Sequence, residues 1–490
     1  MTSFAQRCGI HDMPRVAACR QALQAIAEQR IERVRIGWCD LHGVLRGKTL
    51  MAHAVADAID EGLGLVSTVM LKDTSDRTAF KVFEPGLADE LPGFGQANNL
   101  VLLPDPASFR VLPWAPSTAW MQAQPWFDHA EPLRLDTRRT LQTALGRLAD
   151  EGLALRCGLE VEFHIYRIDD GRLDPDRAAW PGEPPTVSMI HPGYNLLAEG
   201  WADLADEPLQ IVQRAAQGLN LPLRSLEIEL GPSQVEAVFD ATDALTAADH
   251  MVLFRNGVRQ ALRRHGYHAS FVCMPPFANV MASGWHLHQS LVNCGNAANV
   301  MRRDAPAPGA QPGDAAFTLS AIGEHYLAGL LAHGRGMAAL CTPTINGFKR
   351  FRPHALAPQS VLWGKDNRGA MLRVIGRSGD AATRIENRIG EPSANPYLYI
   401  AAQIYAGLDG IHRGLTAPPA TDSPYAAGGT PVPTSLGEAL DALAQDRVLV
   451  EGFGTPLIDC FTRIKRAEVA RFEQADDKDE WQRREYFSRF

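Results

Sequence analysis

The chain has 490 residues, a formal net charge of −8 and 46% hydrophobic residues, a composition typical of a globular protein with material for more than one domain. The acidic balance argues against nucleic acid or an anionic membrane surface as a partner, and no apolar run approaches the roughly 20 residues of a membrane-spanning helix. Eight scattered cysteines form no C-x-x-C pair and follow no signal peptide. We therefore expect a reduced, cytoplasmic protein whose partners are small molecules.

The first part of the chain has the pattern of a small, sheet-rich unit. A helix is predicted over residues 17–29, and strands are predicted over residues 33–38, 44–50 and 100–103, with a turn at residues 40–43. Proline-rich sequence then follows, from Pro113 to Pro125. We therefore expect an N-terminal domain of residues 1–120 and a second domain of residues 121–490.

Helices and strands mix in the second domain. Asp136 or Thr137 can cap a helix whose apolar stripe is formed by Leu141, Leu145 and Leu148. Further helices are predicted over residues 317–340 and 436–445, and surface loops over the Gly-, Pro- and Ala-rich residues 295–314 and 417–435.

Four short segments carry ionisable side chains at alternate positions. They are Glu160 and Glu162, Glu227 and Glu229, His286 and His288, and Arg384, Glu386 and Arg388. Residues i and i+2 of a strand point to the same face, so each segment can direct its charges into one shared space. Several carboxylates cannot all ionise there unless a metal or basic groups neutralise them, and His with Glu is a common ligand mixture for a divalent ion.

Each segment also has a simpler interpretation. Glu160 and Glu162 could be solvated residues of an amphipathic edge strand. The turn at Gly231-Pro232 can bring Glu229 and Glu236 to one point, or it can belong to a surface hairpin. His286 and His288 are followed by Ser290, which favours a metal ligand and a phosphate contact over two structural histidines.

A local excess of cations lies between residues 346 and 388 of this otherwise acidic chain. Its arginines include Arg350, Arg368, Arg373, Arg384 and Arg388. The alternation of Ile385, Asn387 and Ile389 with charged positions predicts a half-buried strand, where guanidinia need anionic partners. A phosphoryl group is one such partner, because the planar guanidinium matches its oxygens.

Six ordered segments together resemble the glutamine synthetase family. They are GLEVEF, ELGPSQVE, SGWHLHQSL, NGFKRF, WGKDNR and RIENRIGEPSANPYLY. The resemblance runs essentially end to end, and it implies an α+β fold: a small N-terminal β-grasp-like domain and a large C-terminal catalytic domain with a funnel-shaped antiparallel sheet flanked by helices. It also implies a ring-shaped homo-oligomer with active sites between neighbouring subunits.

The resemblance assigns roles to the charged residues. One metal site would use Glu162, Glu229 and Glu236, and a second would use Glu160, His286 and Glu386, for Mg²⁺ or Mn²⁺. The remaining roles are nucleotide contacts for His288 and Ser290, transferred-phosphoryl contacts for Arg368, Arg373 and Arg384, and contacts with the glutamate carboxylates or the acyl phosphate for Arg350 and Arg388. The implied reaction is ATP-dependent: the γ-carboxylate of L-glutamate attacks the γ-phosphate, and an amine displaces phosphate from γ-glutamyl phosphate.

Two departures from the family pattern bear on the amine. Leu356, in the segment from Pro353 to Pro358, replaces a flap glutamate that holds and deprotonates ammonium, and residues 67–76 do not carry the usual Asp-Gly-Ser-Ser latch. The glutamate loop has Met281-Ala282 where the family usually has Asn-Gly, and Trp285 and Trp363 lie near these segments. An apolar acceptor region fits an organic amine, and an aniline suits it because it is neutral at pH 7 and needs apolar walls.

Three readings of function follow from the sequence. The first is a ligase that joins glutamate to an organic amine, hydrophobic or aromatic, and it resembles the γ-glutamylanilide synthetases. The alternatives are an ordinary glutamine synthetase that uses ammonia and a non-catalytic synthetase-like scaffold. A scaffold predicts decayed metal ligands, whereas all six candidate ligands are present here.

Overall fold

The computed structural model describes residues 2–84, 86–352, 355–426 and 428–490. It contains two β-sheets with helices packed around them, which confirms the expected α+β class. Within these ranges, every helix is too short or too polar to cross a membrane.

The smaller sheet is built from the N-terminal part of the chain. Its strands are β1 (Arg33–Cys39), β2 (Leu45–Met51), β3 (Leu63–Val66), β4 (Asn99–Pro104), β5 (Arg110–Val111) and β6 (Thr118–Phe127). The order is β2-β1-β6-β4-β3, with β5 also on β6, and β1 pairs with β6 in parallel. The predicted strands over residues 33–38, 44–50 and 100–103 are therefore confirmed.

The larger sheet is centred on one long strand. Its strands are β7 (Leu153–Asp170), β8 (Thr186–Met189), β9 (Leu223–Ile228), β10 (Gln234–Phe239), β11 (Thr242–Asp243), β12 (Tyr267–Ser270), β13 (Trp285–Asn293), β14 (Trp363–Lys365), β15 (Leu372–Ile375) and β16 (Arg384–Asn387). The order is β14-β15-β16-β13-β7-β10-β9, and β8, β11 and β12 also pair with β7. All pairs are antiparallel except β14 with β15.

The helices cover the two sheets. They are α1 (Phe4–Arg7), α2 (Met13–Glu28), α3 (Val55–Glu61), α4 (Leu87–Glu90), α5 (Thr137–Asp150), α6 (Glu199–Leu204), α7 (Asp206–Gly218), α8 (Ala244–Arg263), α9 (Ala321–Ala332), α10 (Gly334–Cys341), α11 (Pro396–Arg413), α12 (Leu436–Gln445), α13 (Arg447–Phe453), α14 (Thr455–Glu473) and α15 (Lys478–Tyr486). The buried α11 contacts α5, α8, α9 and α10.

Local signals explain where the main helices begin and end. The Asp136 side chain accepts a hydrogen bond from the Arg138 amide at the start of α5, so the predicted cap is confirmed. Asn395 caps α11 with Pro396 at its first position, and Gly414 ends it in the left-handed conformation.

One predicted helix is two helices in the structure. The sequence predicts a continuous helix over residues 317–340, but the chain forms α9 and α10 with a break at His333. His333 lies between two carboxylates, Asp446 at 2.8 Å from Nδ1 and Asp409 at 3.0 Å from Nε2. These side-chain bonds fix the break, and hydrophobic periodicity does not report them.

The boundary between the domains remains a proposal. The expected division after residue 120 falls inside β6, whose partners β1 and β4 belong to the smaller sheet. We propose that the division follows Phe127, because this keeps β6 with its sheet. The two parts share one hydrophobic core, in which Trp38 and Tyr397 both take part.

Candidate functional site

Strand register explains how the charged residues meet. Glu160 on β7 lies opposite His286 on β13, and Glu162 lies opposite Glu236 on β10. The other face of β7 is core, since Leu159, Val161 and Phe163 are buried. The alternation seen in the sequence therefore directs carboxylates to one side and the apolar residues to the other.

The structure brings the first predicted metal set together. Ligand oxygens of Glu162, Glu229 and Glu236 lie within 4.8 Å of one another. The Gly231-Pro232 turn makes this possible: the Gly231 amide donates to Gln234 Oε1 at 2.9 Å, which closes the chain between Glu229 and Glu236. The Gly284 amide then orients Glu162 by donating to its Oε2 at 2.8 Å.

The members of the second predicted set, Glu160, His286 and Glu386, lie close together but are divided between two ligand groups. His286 Nδ1 lies 2.8 Å from Glu160 Oε1 and 3.8 Å from Glu386 Oε1. These two groups each have ligand atoms within 4.8 Å of one another: Glu160, His288 and Glu386, and Glu160, Glu236 and His286. His288 is therefore as well placed for a cation as for a nucleotide.

The carboxylates of this cluster oppose one another electrostatically. Burial and the neighbouring Glu229 raise the pKa of Glu162 to about 7, and burial with the nearby glutamates raises the pKa of Glu236 to about 10. Burial opposes ionisation of Glu160 too, but hydrogen bonds with His286 and His288 hold its pKa below the ordinary value. Burial and Arg388 lower the pKa of His286 to about 4, so this imidazole is neutral at pH 7.

These donors fit divalent cations. Five carboxylates and the neutral imidazole of His286 supply the oxygen-rich, partly nitrogenous ligand set that suits Mg²⁺ or Mn²⁺. Each bound cation would also supply the positive charge that lets Glu162 and Glu236 ionise together. The fit rests on the donor set of Glu160, Glu162, Glu229, Glu236, His286 and Glu386, with His288 beside them.

Two buried arginines bracket Glu386. Arg373 Nη1 donates to Glu386 Oε2 at 2.9 Å, and Arg388 Nη1 donates to Oε1. Burial opposes ionisation of Glu386, but Arg388 and His286 lower its pKa below the ordinary value. A fully buried carboxylate thus keeps its charge, and the two guanidinia are fixed at the edge of the cluster.

Arg350 reaches the opposite side of the cluster. Its Nη2 lies 3.2 Å from His286 Nε2, and its Nη1 donates to the Arg388 and Gly390 carbonyls at 2.8 and 3.3 Å. The side chain is 4% exposed. Three guanidinia, those of Arg350, Arg373 and Arg388, therefore converge near the carboxylates.

The remaining predicted residues lie at the rim. Arg384 Nε donates to His288 Nδ1 at 3.1 Å, so a predicted phosphoryl contact and a predicted nucleotide contact touch. Ser290 Oγ donates to the Thr383 carbonyl at 3.2 Å. Arg368 is exposed and is tied to the site through its carbonyl, which accepts from Arg388 Nε at 2.9 Å.

The flap segment lies beside the arginines. Pro353 and His354 fall outside the described residues, whereas Leu356 is 58% exposed and its carbonyl accepts from Arg388 Nη2 at 3.4 Å. Trp285 and Trp363 do not form an apolar acceptor wall, because both are buried; Trp285 packs edge-on against Tyr399. The exposed apolar side chain near the site is that of Leu356.

Residues 73–76 resemble the Asp-Gly-Ser-Ser latch more than the sequence interpretation allowed. Asp73 and Ser75 match the acid and the first hydroxyl of an Asp-Gly-Ser-Ser pattern, although positions two and four differ. Both side chains bond within the chain: Asp73 pairs with Arg471 at 2.8 Å, and Ser75 Oγ donates to Glu485. The segment is thus held by α14 and α15.

Two residues that contact the site were given no role in the sequence analysis: Gln234, which is uncharged, and Asp366. Gln234 Nε2 donates to Glu162 Oε2 at 3.3 Å and to Ser283 Oγ at 3.1 Å. Asp366 accepts from Arg373 Nε at 3.0 Å. Gln234 lies in the ELGPSQVE segment and Asp366 in WGKDNR, so motif position was the available signal, but neither contact follows from spacing.

Comparisons with known proteins agree with this architecture. Residues 134–486 match the family model described as the glutamine synthetase catalytic domain. The chain is 39% identical to a gamma-glutamylanilide synthase of Acinetobacter sp, over 96% of both chains. It is 29% identical to a gamma-glutamylethanolamide synthetase of Streptomyces coelicolor, over 95% of this chain and 94% of the relative. A solved structure titled as a complex of GmaS with ADP aligns with a TM-score of 0.74 at 28% identity, over 94% of this chain and 98% of the other.

Proposed function

The chain belongs to the glutamine synthetase family, in its glutamate–amine ligase branch, and from that premise we propose that it joins the γ-carboxyl of L-glutamate to an aniline-like amine with ATP as energy source. The observation that supports an aniline-like amine as the substrate is Leu356 at the flap position beside Arg388. A leucine neither attracts ammonium nor accepts a proton, whereas a neutral arylamine requires neither.

The arrangement of charges supports phosphoryl transfer. A divalent cation bound by Glu162, Glu229 and Glu236 or by Glu160, His286 and Glu386 would bind ATP phosphate oxygens and offset their charge. Arg373, Arg388 and Arg350 supply fixed guanidinium donors for the transferred group and for glutamate carboxylates. Arg384, His288 and Ser290 form the rim that we assign to the nucleotide, with the exposed Arg368 as a further phosphoryl contact.

The proposed reaction has two steps. A γ-carboxylate oxygen of glutamate attacks the γ-phosphorus of ATP, ADP leaves, and γ-glutamyl phosphate forms. The amine nitrogen then attacks the carbonyl carbon of the γ-glutamyl phosphate, the C–N bond forms, and phosphate leaves with the oxygen that came from glutamate. The amine loses one proton, which the departing phosphate or solvent takes up, and the buried site limits hydrolysis of the acyl phosphate.

Other relatives supply alternative candidates for the amine. An ethanolamide synthetase is among the similar proteins, so an alkylamine is the second candidate, and glutamine synthesis from ammonia is the third. We propose Mg²⁺ or Mn²⁺ as the metal. We also propose a ring-shaped homo-oligomer with active sites between subunits, as the family resemblance implies.

The chemistry can be tested by following oxygen. L-glutamate labelled with ¹⁸O in its γ-carboxyl is incubated with ATP, Mg²⁺, aniline and the enzyme, and phosphate is analysed by mass spectrometry. One labelled oxygen per phosphate is expected, because displacement by nitrogen transfers that oxygen. Unlabelled phosphate with stoichiometric γ-glutamyl product would contradict the acyl-phosphate route.

A further inference from the structure

A cavity of about 820 Å³ lies away from the carboxylate cluster. It is bordered by β1, the end of α8, the start of β12 and residues after α15. Gly171, at its edge, follows β7, and Glu160 lies eleven residues back on that strand. At about 3.3 Å per residue, this edge of the cavity lies roughly 36 Å from Glu160 along the strand. On another side of the cavity Ala269 pairs with Ile165, so the lining there comes within three residues of Glu162.

Arginine dominates the charge of this cavity. Its lining includes the arginines Arg35, Arg259, Arg263, Arg264, Arg484 and Arg489. Glu183 is the one carboxylate among the lining residues in the described ranges, and it pairs with Arg484 at 2.9 Å and with Arg483 at 2.7 Å. Such a concentration is unexpected in a chain with a net charge of −8.

Most of these guanidinia have no carboxylate partner. Among the residues that the structure describes, Arg484 is the one cavity arginine in an ion pair. Arg35 Nη1 donates to Gln260 Oε1 at 2.7 Å, and Arg259 donates to the Ser488 and Arg489 carbonyls. Arg489 Nε is buried without a hydrogen-bond acceptor in the described structure.

The arginines also destabilise one another's charge. Burial, with Arg255 and Arg489, lowers the pKa of Arg259 to about 10. Burial likewise lowers the pKa of Arg35 and of Arg489; Arg264 adds to the effect at Arg35, whereas Glu485 and Asp76 oppose it at Arg489. Partly buried cations without counter-charge raise the free energy of the folded state, and a bound anion would offset this cost.

We propose that this cavity binds a small organic anion with two or more negative charges, either phosphorylated or polycarboxylic. Guanidinium groups bind the oxygens of both classes through paired hydrogen bonds. The volume is that of a small-molecule site and exceeds the needs of inorganic phosphate. Leu173, Pro181 and Pro185 give it an apolar border for the organic part of the ligand.

The cavity lies between the two sheets, unlike the catalytic site, which is built on the larger sheet. Arg35 belongs to the smaller sheet, whereas Arg259 and Arg263 belong to α8 beside the larger sheet. An anion between them would link the two sheets and stabilise the folded protein by mass action. Binding here requires neither ATP nor glutamate, so the inference stands apart from the proposed ligase activity.

The test uses the full-length protein in metal-free buffer, titrated by calorimetry with pyrophosphate and, separately, with citrate. The variant is Arg263→Gln with Arg264→Gln, two exposed side chains at the end of α8. The matched control is Arg20→Gln with Arg214→Gln, which removes the same charge from exposed positions of α2 and α7. Melting temperatures of both variants verify folding.

We expect at least one of the two anions to bind the wild type at one site per chain, with a Kd at least tenfold higher in the α8 variant and within about twofold in the control. The stronger anion identifies the ligand class. Equal affinity in wild type and α8 variant would overturn the proposal. Absence of binding, with the α8 variant changing the oligomer mass measured by light scattering, would also overturn it and assign the arginines to a subunit interface.

Discussion

At the scale of single residues, the site depends on carboxylates held in different charge states. Glu386 is ionised between two arginines, whereas burial and repulsion raise the pKa of Glu236 to about 10. Bound cations would change the charge state of Glu236 far more than that of Glu386, because Glu386 is already ionised. The arginines Arg373 and Arg388 therefore position Glu386 before any metal arrives.

Replacing Glu386 tests its role as a ligand. Glu386→Ala would leave the buried Arg388 without its carboxylate partner and Arg373 with Asp366 alone, at a cost of about 3–5 kcal/mol, so loss of activity could reflect loss of folding. Glu386→Gln keeps the shape and one acceptor oxygen. We expect it to lower amine-dependent ADP release at least about 100-fold, because a neutral amide binds divalent cations weakly, while the protein remains folded by thermal denaturation.

Glu391→Gln is the matched control for this change. Glu391 is also buried on the segment after β16, but it bonds to Thr344 and lies outside the metal-ligand groups found among the described residues. Burial raises its pKa to about 7, so a neutral amide resembles its protonated form. Turnover near that of the wild type is expected. Wild-type turnover in Glu386→Gln would refute the ligand assignment.

The flap residue sets the preference for the amine in this account. Leu356→Glu places a carboxylate where ammonium can be held and deprotonated, so we expect the ratio of kcat/KM for ammonia to that for aniline to rise about tenfold or more. Leu356→Gln, of the same size without charge, should leave the ratio nearly unchanged. If the charged and neutral variants give the same ratio, the flap interpretation is wrong.

At the scale of elements, the sequence predicts which face of a strand is charged better than it predicts which residues pair across the sheet. Alternation at Glu160, Glu162, His286 and Glu386 correctly indicates strands with a charged face. It does not give the register that sets Glu160 opposite His286, since pairing depends on the whole sheet. The added proximity of His288 to Glu160 and the bond between Asp366 and Arg373 are equally long-range consequences of folding.

The entry to β13 offers a steric test. A Cβ at Gly284 would lie 2.5 Å from Arg350 Nη2 and 2.9 Å from His286 Nε2. The contact falls on the far end of the long Arg350 side chain, so Gly284→Ala should displace its guanidinium from the position that the Arg388 and Gly390 carbonyls hold, at modest cost in stability. We expect turnover to fall about tenfold or more, with a small change in melting temperature. Gly64→Ala on β3, where a Cβ meets no atom within 4 Å, is the control. Equal turnover in the two variants would show that the position of Arg350 is unimportant.

The break between α9 and α10 makes a prediction about pH. Burial opposes protonation of His333, but hydrogen bonds to Asp446 and Asp409 raise its pKa above the ordinary value. Its contribution to the free energy of unfolding is therefore fully present below the unfolded pKa of about 6.5 and is lost as pH rises through the folded pKa.

His333→Gln tests this contribution. We expect it to destabilise the protein by about 1–3 kcal/mol near pH 6, and by less near pH 9, in denaturant titrations. His412→Gln removes an exposed histidine paired with Glu151 and should have little effect at either pH. A His333→Gln deficit that grows with pH would contradict the assignment.

At the scale of the whole molecule, the two sheets share one hydrophobic core, and one segment has an apolar surface. Large apolar side chains are exposed between residues 180 and 204, including Trp180, Tyr194, Leu196, Leu197 and Leu204. Such a concentration is typical of a surface that another chain covers. The resemblance to the glutamine synthetase family predicts a ring, and we propose that this surface lies between its subunits.

The assembly can be measured directly. Light scattering of the purified protein should give a mass several times the chain mass of 53.5 kDa. Leu196→Asp with Leu197→Asp should lower that mass, because two charges would be buried in the interface. A monomeric wild type with full ligase activity would contradict active sites shared between subunits.

The identity of the product is the most direct test of the proposed ligation of glutamate to an aniline-like amine. Purified protein is incubated with ATP, Mg²⁺ and L-glutamate, and with ammonia, ethylamine, isopropylamine, ethanolamine, putrescine or aniline in turn; ADP release is measured and the product is identified by mass spectrometry. We expect γ-glutamylanilide with negligible glutamine. Strong glutamine formation, or no ADP release with any acceptor, would contradict it.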